Sequence, residues 1–310
     1  MRRVACIGAG TVGHAWAVVF ARAGYDVALY DAQPDAVPTH ALPGIRRTLE
    51  MIAESGNEAE PVAKILARIN NAESIAEAVA NTFYVQESVR EDVAVKRQVF
   101  ADIAAAAPTT AILASSTSAI PGSEFLSEIG NPERALVVHP VNPPSLIPLV
   151  ELCGTGRTSQ ATIEQVRSLM RGIGMSPIVL KKEIDGFILN RLQFTLVAEA
   201  LYLVGEGYCE IEDIDAVLSD GLALRWAFLG PFQVAHLNAP DGIQGFVDRL
   251  GPMMRRLGKD AQPDYDWTSD QIADAHSRLS QTIPVADIPR RQNERDRRIV
   301  ALRRLKAELS

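Results

Sequence analysis

The chain has 310 residues, of which 47% are hydrophobic and 22% charged, with a formal net charge of −7. That length suits one large domain or two of ordinary size with ample core material. The acidic balance argues against a nucleic-acid partner, because phosphate binding needs a basic footprint. No stretch approaches the ~18 uninterrupted apolar residues of a membrane span, and the apolar run at Val4–Ile7 ends at once in glycines, unlike a signal peptide. Cys6, Cys153 and Cys209 are widely separated and show neither C-x-x-C nor metal-ligand spacing. We therefore expect buried cysteines that pack as small hydrophobes, no metal site, no membrane association and a cytoplasmic protein.

In chain order, Val4–Ile7 is a short β-prone run that leads into Gly8-Ala-Gly10-Thr11-Val12-Gly13. Trp16, Val19, Phe20 and Ala23 then recur at helical spacing up to Gly24, and a second β run, Asp26–Tyr30, ends in Asp31. Strand, glycines, helix, strand and acid together form a dinucleotide-binding fingerprint. Gly8 serves the tight turn, Gly10 the approach of a pyrophosphate, and Gly13 the packing of helix on strand. The helix start offers free N–H groups and a positive dipole end to the phosphates. Asp31, at the usual distance of about 20 residues, accepts hydrogen bonds from the adenine ribose and repels a 2′-phosphate, which favours NAD over NADP. Its alternative reading is an N-cap of the next helix. His14 reads as a filler of the loop or a neighbour of the pyrophosphate.

Residues 34–80 carry little β signal, and Ile45–Ile52 and Val62–Ile69 suggest a helical hairpin inserted at about 44–80. Thr82–Gln86 reads as a strand, Glu91–Phe100 as a helix with acids early and bases late, and Ala111–Ala114 as a strand ending in Ser115-Ser-Thr-Ser118. Ala135–Val138 delivers His139 at the end of a strand, and Ile147–Leu152 carries Glu151 on another, across a proline-stiffened turn. If the two strands pair antiparallel, the carboxylate fixes the imidazole tautomer and makes a base suited to neutral pH. A purely structural His–Glu bond is the alternative. Thr162–Arg171 is an amphipathic helix and Pro177–Leu180 a last strand. The alternation predicts an α/β fold: a Rossmann-type, doubly wound, mostly parallel sheet over residues 1–183.

The character changes after Lys182. From Asp185 the chain is apolar nearly all round a long helix, which should be buried on every side. A small helical domain of residues 184–310 cannot bury that much alone, so we expect a homodimer through it. Asn190 inside this helix is costly unless paired. The arginine-rich tail from Pro289 reads as a solvated amphipathic helix packing on the body.

With the glycine loop, Ser115-Ser-Thr-Ser118, His139-Pro-Val-Asn142-Pro-Pro, Ile147-Pro-Leu-Val-Glu151, Gly186-Phe-Ile-Leu-Asn190-Arg-Leu-Gln and Gly221-Leu-Ala-Leu-Arg225-Trp in view, the chain resembles the 3-hydroxyacyl-CoA dehydrogenase superfamily over almost its whole length. Within it the likeness is to the λ-crystallin, or L-gulonate 3-dehydrogenase, branch. The resemblance implies an N-terminal NAD domain and a C-terminal helical dimerisation domain. It further implies that His139 takes the hydroxyl proton, oriented by Glu151. Ser118 and Asn190 would bond the reacting oxygen or nearby cofactor, and Glu91, Lys96 and Asn142 would surround the nicotinamide half. Glu91 and Lys96 also suit ordinary surface helix positions, and Ser118 and Asn190 suit structural bonds. The related dehydrogenases that use a lysine on the interdomain helix fit poorly, since no lysine follows Lys182 in that helix.

Acyl-CoA substrates call for cations near the hairpin. Arg46, Arg47, Lys64 and Arg68 are offset there by Glu54, Glu58 and Glu60. Arg225 stands where the resemblance to L-gulonate and carnitine dehydrogenases places an arginine, and a guanidinium holds a free carboxylate by two parallel bonds. A salt bridge across the dimer is its other reading. The expectation is NAD-dependent oxidation of a small free 3-hydroxy acid, L-gulonate to 3-dehydro-L-gulonate. A 3-hydroxyacyl-CoA or L-carnitine is the alternative substrate, and a non-catalytic structural protein the remote alternative.

Overall fold

The computed structural model describes residues 2–56 and 60–309; Glu58 of the expected hairpin tip lies outside them. In chain order the strands are β1 Arg3–Ile7, β2 Asp26–Tyr30, β3 Ile69–Asn71, β4 Tyr84–Glu87, β5 Ile112–Ser115, β6 Ala135–Pro140, β7 Leu149–Gly154 and β8 Ser176–Val179. Helices α1 Thr11–Arg22, α2 Leu42–Glu54, α3 Val62–Leu66, α4 Ile75–Val79, α5 Val93–Ala106, α6 Ser123–Leu126 and α7 Gln160–Gly172 alternate with them. One sheet results, in the order β3-β2-β1-β4-β5-β6-β7-β8. Every pair in it is parallel except β6–β7. This is the expected doubly wound sheet.

Its strands are buried on both faces, and their period of two sends alternate residues to opposite cores. On β1, Val4 and Cys6 join Trp16, Phe20, Ile45 and Leu49 on one face. Ala5 and Ile7 join Val85, Phe100, Ile103 and Phe125 on the other. Each large side chain fully buried in this way contributes roughly 1.5–3 kcal/mol. Burial pushes the Cys6 thiol far up and, with Glu183 and Glu151 nearby, the Cys153 thiol up to about 12. Both cysteines pack as expected; Cys209 differs in being only half-buried.

Two local expectations are corrected. The second arm of the hairpin ends at Leu66, and Ile69–Asn71 pairs with β2 as an edge strand. Three residues are too short to show a β pattern, and the preceding apolar spacing masks them. The helix expected from Asp185 begins only at Leu189, because Gly186 and Phe187 adopt φ of +69° and +50°.

The remaining helices are α8 Leu189–Gly205, α9 Ile211–Ala216, α10 Ala223–Trp226, α11 Pro231–Leu237, α12 Gly242–Asp260, α13 Ser269–Thr282 and α14 Ile288–Glu308. The chain forms two compact units: Met1–Asn190 with Glu294–Ala307, and one built on Arg191–Asn293. Most of the final helix, Glu294–Ala307, is therefore grouped with the sheet, and its first residues, up to Asn293, with the helical unit. Val300 is buried in the sheet's core, Arg303 donates to the Leu146 carbonyl at 2.9 Å, and Arg297 pairs with Glu54 at 3.0 Å.

The second unit is tied by hydrogen bonds from Trp267 Nε1 to the Leu201 carbonyl (2.8 Å) and from Gln271 Nε2 to the Gly205 carbonyl (3.1 Å). An ion pair between Arg278 and Glu210 adds to them. α8 is not buried on all sides in the single chain: Leu192 is 66% and Phe194 59% exposed, and Ala198 is its only buried residue. Among the described residues no helix is long and apolar enough to cross a membrane, and no cluster of His, Cys, Asp and Glu could hold a metal.

Candidate active site

The first part of the site is the crevice at the C-terminal ends of β1 and β2, where open α/β sheets bind ligands. Gly8 has φ +95°, and a Cβ there would lie 2.6 Å from the Ser88 carbonyl oxygen. A Cβ on Gly13 would come within 1.8 Å of the Gly8 carbonyl oxygen. At Gly10 a Cβ would meet nothing within 4 Å, so the loop is open where a phosphate must approach. Gly10 caps α1, and its carbonyl accepts the first intrahelical bond from His14 at 3.0 Å. The Thr11, Val12 and Gly13 amides thus precede the helical ladder and suit an anion.

Asp31 follows β2 and turns back on this loop. One carboxylate oxygen accepts from the Ala9 amide at 2.8 Å and the other from the Gln33 amide at 2.9 Å. A carboxylate has about four acceptor sites, which leaves capacity for ribose hydroxyls. His14 packs toward Gly44 of α2. Burial and the Arg47 guanidinium lower its pKa, against a bond to the Gly10 backbone.

The second part lies at the ends of β6 and β7. In their antiparallel register His139 stands directly opposite Glu151, the pairing that the proline-stiffened turn suggested. His139 Nδ1 and Glu151 Oε2 are 2.8 Å apart, and both side chains are buried. The other Glu151 oxygen accepts from the amides of Ile188 (2.9 Å) and Leu189 (3.1 Å) at the start of α8. Those amides have no carbonyl one turn earlier, so they stabilise the carboxylate where it stands. The buried ring of Phe187 packs on the imidazole, with centroids 5.3 Å apart. A non-glycine residue at φ +50° is strained, and this packing accompanies it.

Between these parts, the ends of β4 and β5 carry a charged cluster. Lys96, only 1% exposed, donates to Glu87 Oε1 at 3.0 Å and pairs with Glu91 Oε2 at 3.3 Å. Glu87 also accepts from the Ser115 hydroxyl (2.5 Å) and the Val89 amide (2.6 Å). Glu91 Oε1 accepts from the Thr117 hydroxyl (2.6 Å) and the amides of Ser118 (2.7 Å) and Ala119 (3.1 Å). Partial burial raises the Glu91 pKa, but the Thr117 hydroxyl, the Lys96 ammonium and those amides outweigh it and leave it below the usual carboxylate range. Asn190 Nδ2 donates to the Ser118 carbonyl at 2.7 Å, so the amide that had to be paired is paired.

The structure thus joins His139 to Glu151, Asn190 to Ser118, Ser118 to Glu91, and Glu91 to Lys96. Glu91 and Lys96 are not ordinary surface helix residues: Glu91 precedes α5, whose N-cap is Asp92, and Lys96 is buried. Asn142 is exposed in the β6–β7 loop, three residues past His139. Arg225 lies in the second unit, exposed on α10. Sequence reasoning missed Glu87, Ser115 and Phe187. An acid at the inner end of the apolar run Phe83–Glu87 was the available signal for Glu87.

Comparison with known proteins agrees with this architecture. Residues 3–184 match the model of the 3-hydroxyacyl-CoA dehydrogenase NAD binding domain and 186–269 that of its C-terminal domain. The chain is 38% identical to the lambda-crystallin homolog of Bos taurus, over 99% of this chain and 96% of that one. It is 37% identical to the L-carnitine dehydrogenase of Streptomyces griseus, over 82% of this chain and 75% of that one. Among solved structures, the NAD+-dependent 5-formyl-3-hydroxy-2-methylpyridine 4-carboxylic acid 5-dehydrogenase superposes with a TM-score of 0.85 at 28% identity, covering 99% of both chains. The 3-hydroxybutyryl-CoA dehydrogenase of Escherichia coli superposes with a TM-score of 0.65 at 32% identity, over 76% of this chain and 49% of that one. With the glycine loop, the sheet and the helical second unit in place, the chain belongs to the 3-hydroxyacyl-CoA dehydrogenase family, as an NAD-dependent oxidoreductase.

Proposed function

We propose that this enzyme oxidises the 3-hydroxyl of a small free hydroxy acid, with L-gulonate, giving 3-dehydro-L-gulonate, as the foremost candidate. The observation that carries the reading is the buried His139–Glu151 pair with its second carboxylate oxygen held by two amides. Glu151 engages Nδ1 and leaves Nε2 to take the hydroxyl proton; the imidazolium that forms faces a fixed carboxylate. Ser118 and Asn190 orient the reacting oxygen, and the amides at the start of α1 with Asp31 hold the cofactor. Glu91, Lys96 and Asn142 complete the pocket for its nicotinamide half. NAD, when bound, supplies the hydride acceptor.

Two observations favour a free acid over a CoA ester. Of the hairpin cations, Lys64 and Arg68 are already engaged by Glu60, at 2.6 and 2.7 Å. Arg225 is exposed, with no carboxylate partner among the described residues, and suits a carboxylate handle. Two similar proteins are named for carnitine and a pyridine carboxylic acid, both of which carry a free carboxylate. L-Carnitine is therefore the second reading. An NADH-absorbance assay with L-gulonate, L-carnitine and 3-hydroxybutyryl-CoA tests it, and turnover of the CoA ester alone overturns the carboxylate argument. A non-catalytic role is revived only if NAD produces no thermal shift. We further propose that a second copy of the chain covers the exposed apolar side chains of α8; a monomer in sedimentation at micromolar concentration overturns that.

A further inference from the structure

We propose that Glu87 sets the preference of this enzyme for the oxidised over the reduced cofactor, through the charge of the Glu87–Lys96–Glu91 cluster. The sheet order places this cluster along the cofactor's path. Asp31 stands at the end of β2, the glycine loop at β1, the cluster at β4 and β5, and His139 at β6, in that spatial order. A dinucleotide anchored by its ribose at Asp31 and by its phosphates at the loop must run past β4 and β5 to bring its reactive ring to His139. The glycine loop already abuts this stretch, since Gly8 packs on the Ser88–Val89 backbone. The direction of the path rests on the reading of His139 given above.

Two carboxylates share one ammonium here. Lys96 bonds Glu87 at 3.0 Å and Glu91 at 3.3 Å, and the cluster carries a net charge of about −1 when all three groups are ionised. Glu87 and Lys96 are almost wholly buried, so water screens this charge weakly. The nicotinamide ring is a cation when oxidised and neutral when reduced. A fixed negative charge beside it stabilises the oxidised form alone, so it acts on the ratio of the two affinities rather than on both. Glu87 is the member that the reaction itself does not use. Its other bonds, from Ser115 and the Val89 amide, hold it in place and keep it from solvent. It acts through the field of the cluster and through Lys96, as a positioning residue for charge.

The test is direct binding of NAD+ and NADH without substrate, by calorimetry and by NADH fluorescence, which does not depend on His139 acting as a base. Glu87→Gln should weaken NAD+ relative to NADH by about fivefold or more. Glu87→Asp, which keeps the charge, should weaken both and leave the ratio near that of the parent. An unchanged ratio in Glu87→Gln overturns the proposal, as does an equal shift in Glu87→Asp. Should Glu87→Gln fail to fold by circular dichroism, Glu91→Gln removes the same charge from a partly exposed carboxylate, and an unchanged ratio there overturns it equally.

Discussion

The two units of this chain manage their apolar residues in opposite ways. In the sheet unit Trp16, Phe20, Phe100 and Ile103 are fully buried. In the helical unit the buried residues are mostly small, such as Ala198, Ala239 and Ala275, while Phe232 stands 78% exposed. The sheet unit contains the glycine loop, the charged cluster and the His139–Glu151 pair within this packing. The helical unit keeps a surface that a solitary small domain would rarely leave to water. The buried core and the acid–base pair coincide in one unit, and exposed apolar surface is concentrated in the other.

Substitutions can break this comparison. The largest effect is expected at His139: His139→Ala should lower kcat by about 100- to 10,000-fold, while NAD still produces its thermal shift. Loss of NAD binding as well would make the residue structural. Phe20→Ala in the sheet core should destabilise by about 3–5 kcal/mol in denaturant unfolding. By contrast, Phe232→Ala in the helical unit should stay within about 0.5 kcal/mol; a large loss there would show that the two surfaces are not so different. Arg225→Met should raise KM for the hydroxy acid by about tenfold or more, with NAD affinity unchanged in calorimetry. The smallest effect concerns acid. Because the Glu91 pKa is lowered by folding, its stabilisation is present above the ordinary carboxylate pKa and is lost as pH falls through the lowered value. Glu91→Gln should therefore flatten the decline in melting temperature below pH ~4.5, and a parallel decline would contradict the shift.

The legibility of this molecule in its sequence follows the same division. Period-two burial and glycine geometry made β1, β2 and the loop between them readable, and the Asn142-Pro-Pro segment pointed to the His139–Glu151 register. Features fixed by long-range packing were not readable. β3 is edge pairing over three residues, and Glu87 looks like any acid until α5 lays Lys96 over it. Phe187 gave no sign of its positive φ. The apolar character of α8 is legible, but which of its faces the single chain leaves uncovered is not.

The last helix has a consequence for how this protein is made. Val300 and Arg303 complete the packing of a unit whose first strand begins at Arg3. Domains generally fold as units while the chain emerges from the ribosome, the N-terminal one first. Here the sheet unit is not complete until Glu294–Ala307 are translated, with Arg191–Asn293 of the helical unit made in between. A nascent chain stalled before Ile288 would expose the seat of Val300, so limited proteolysis should find that unit open in chains stalled there and closed in chains stalled after Arg303 has emerged.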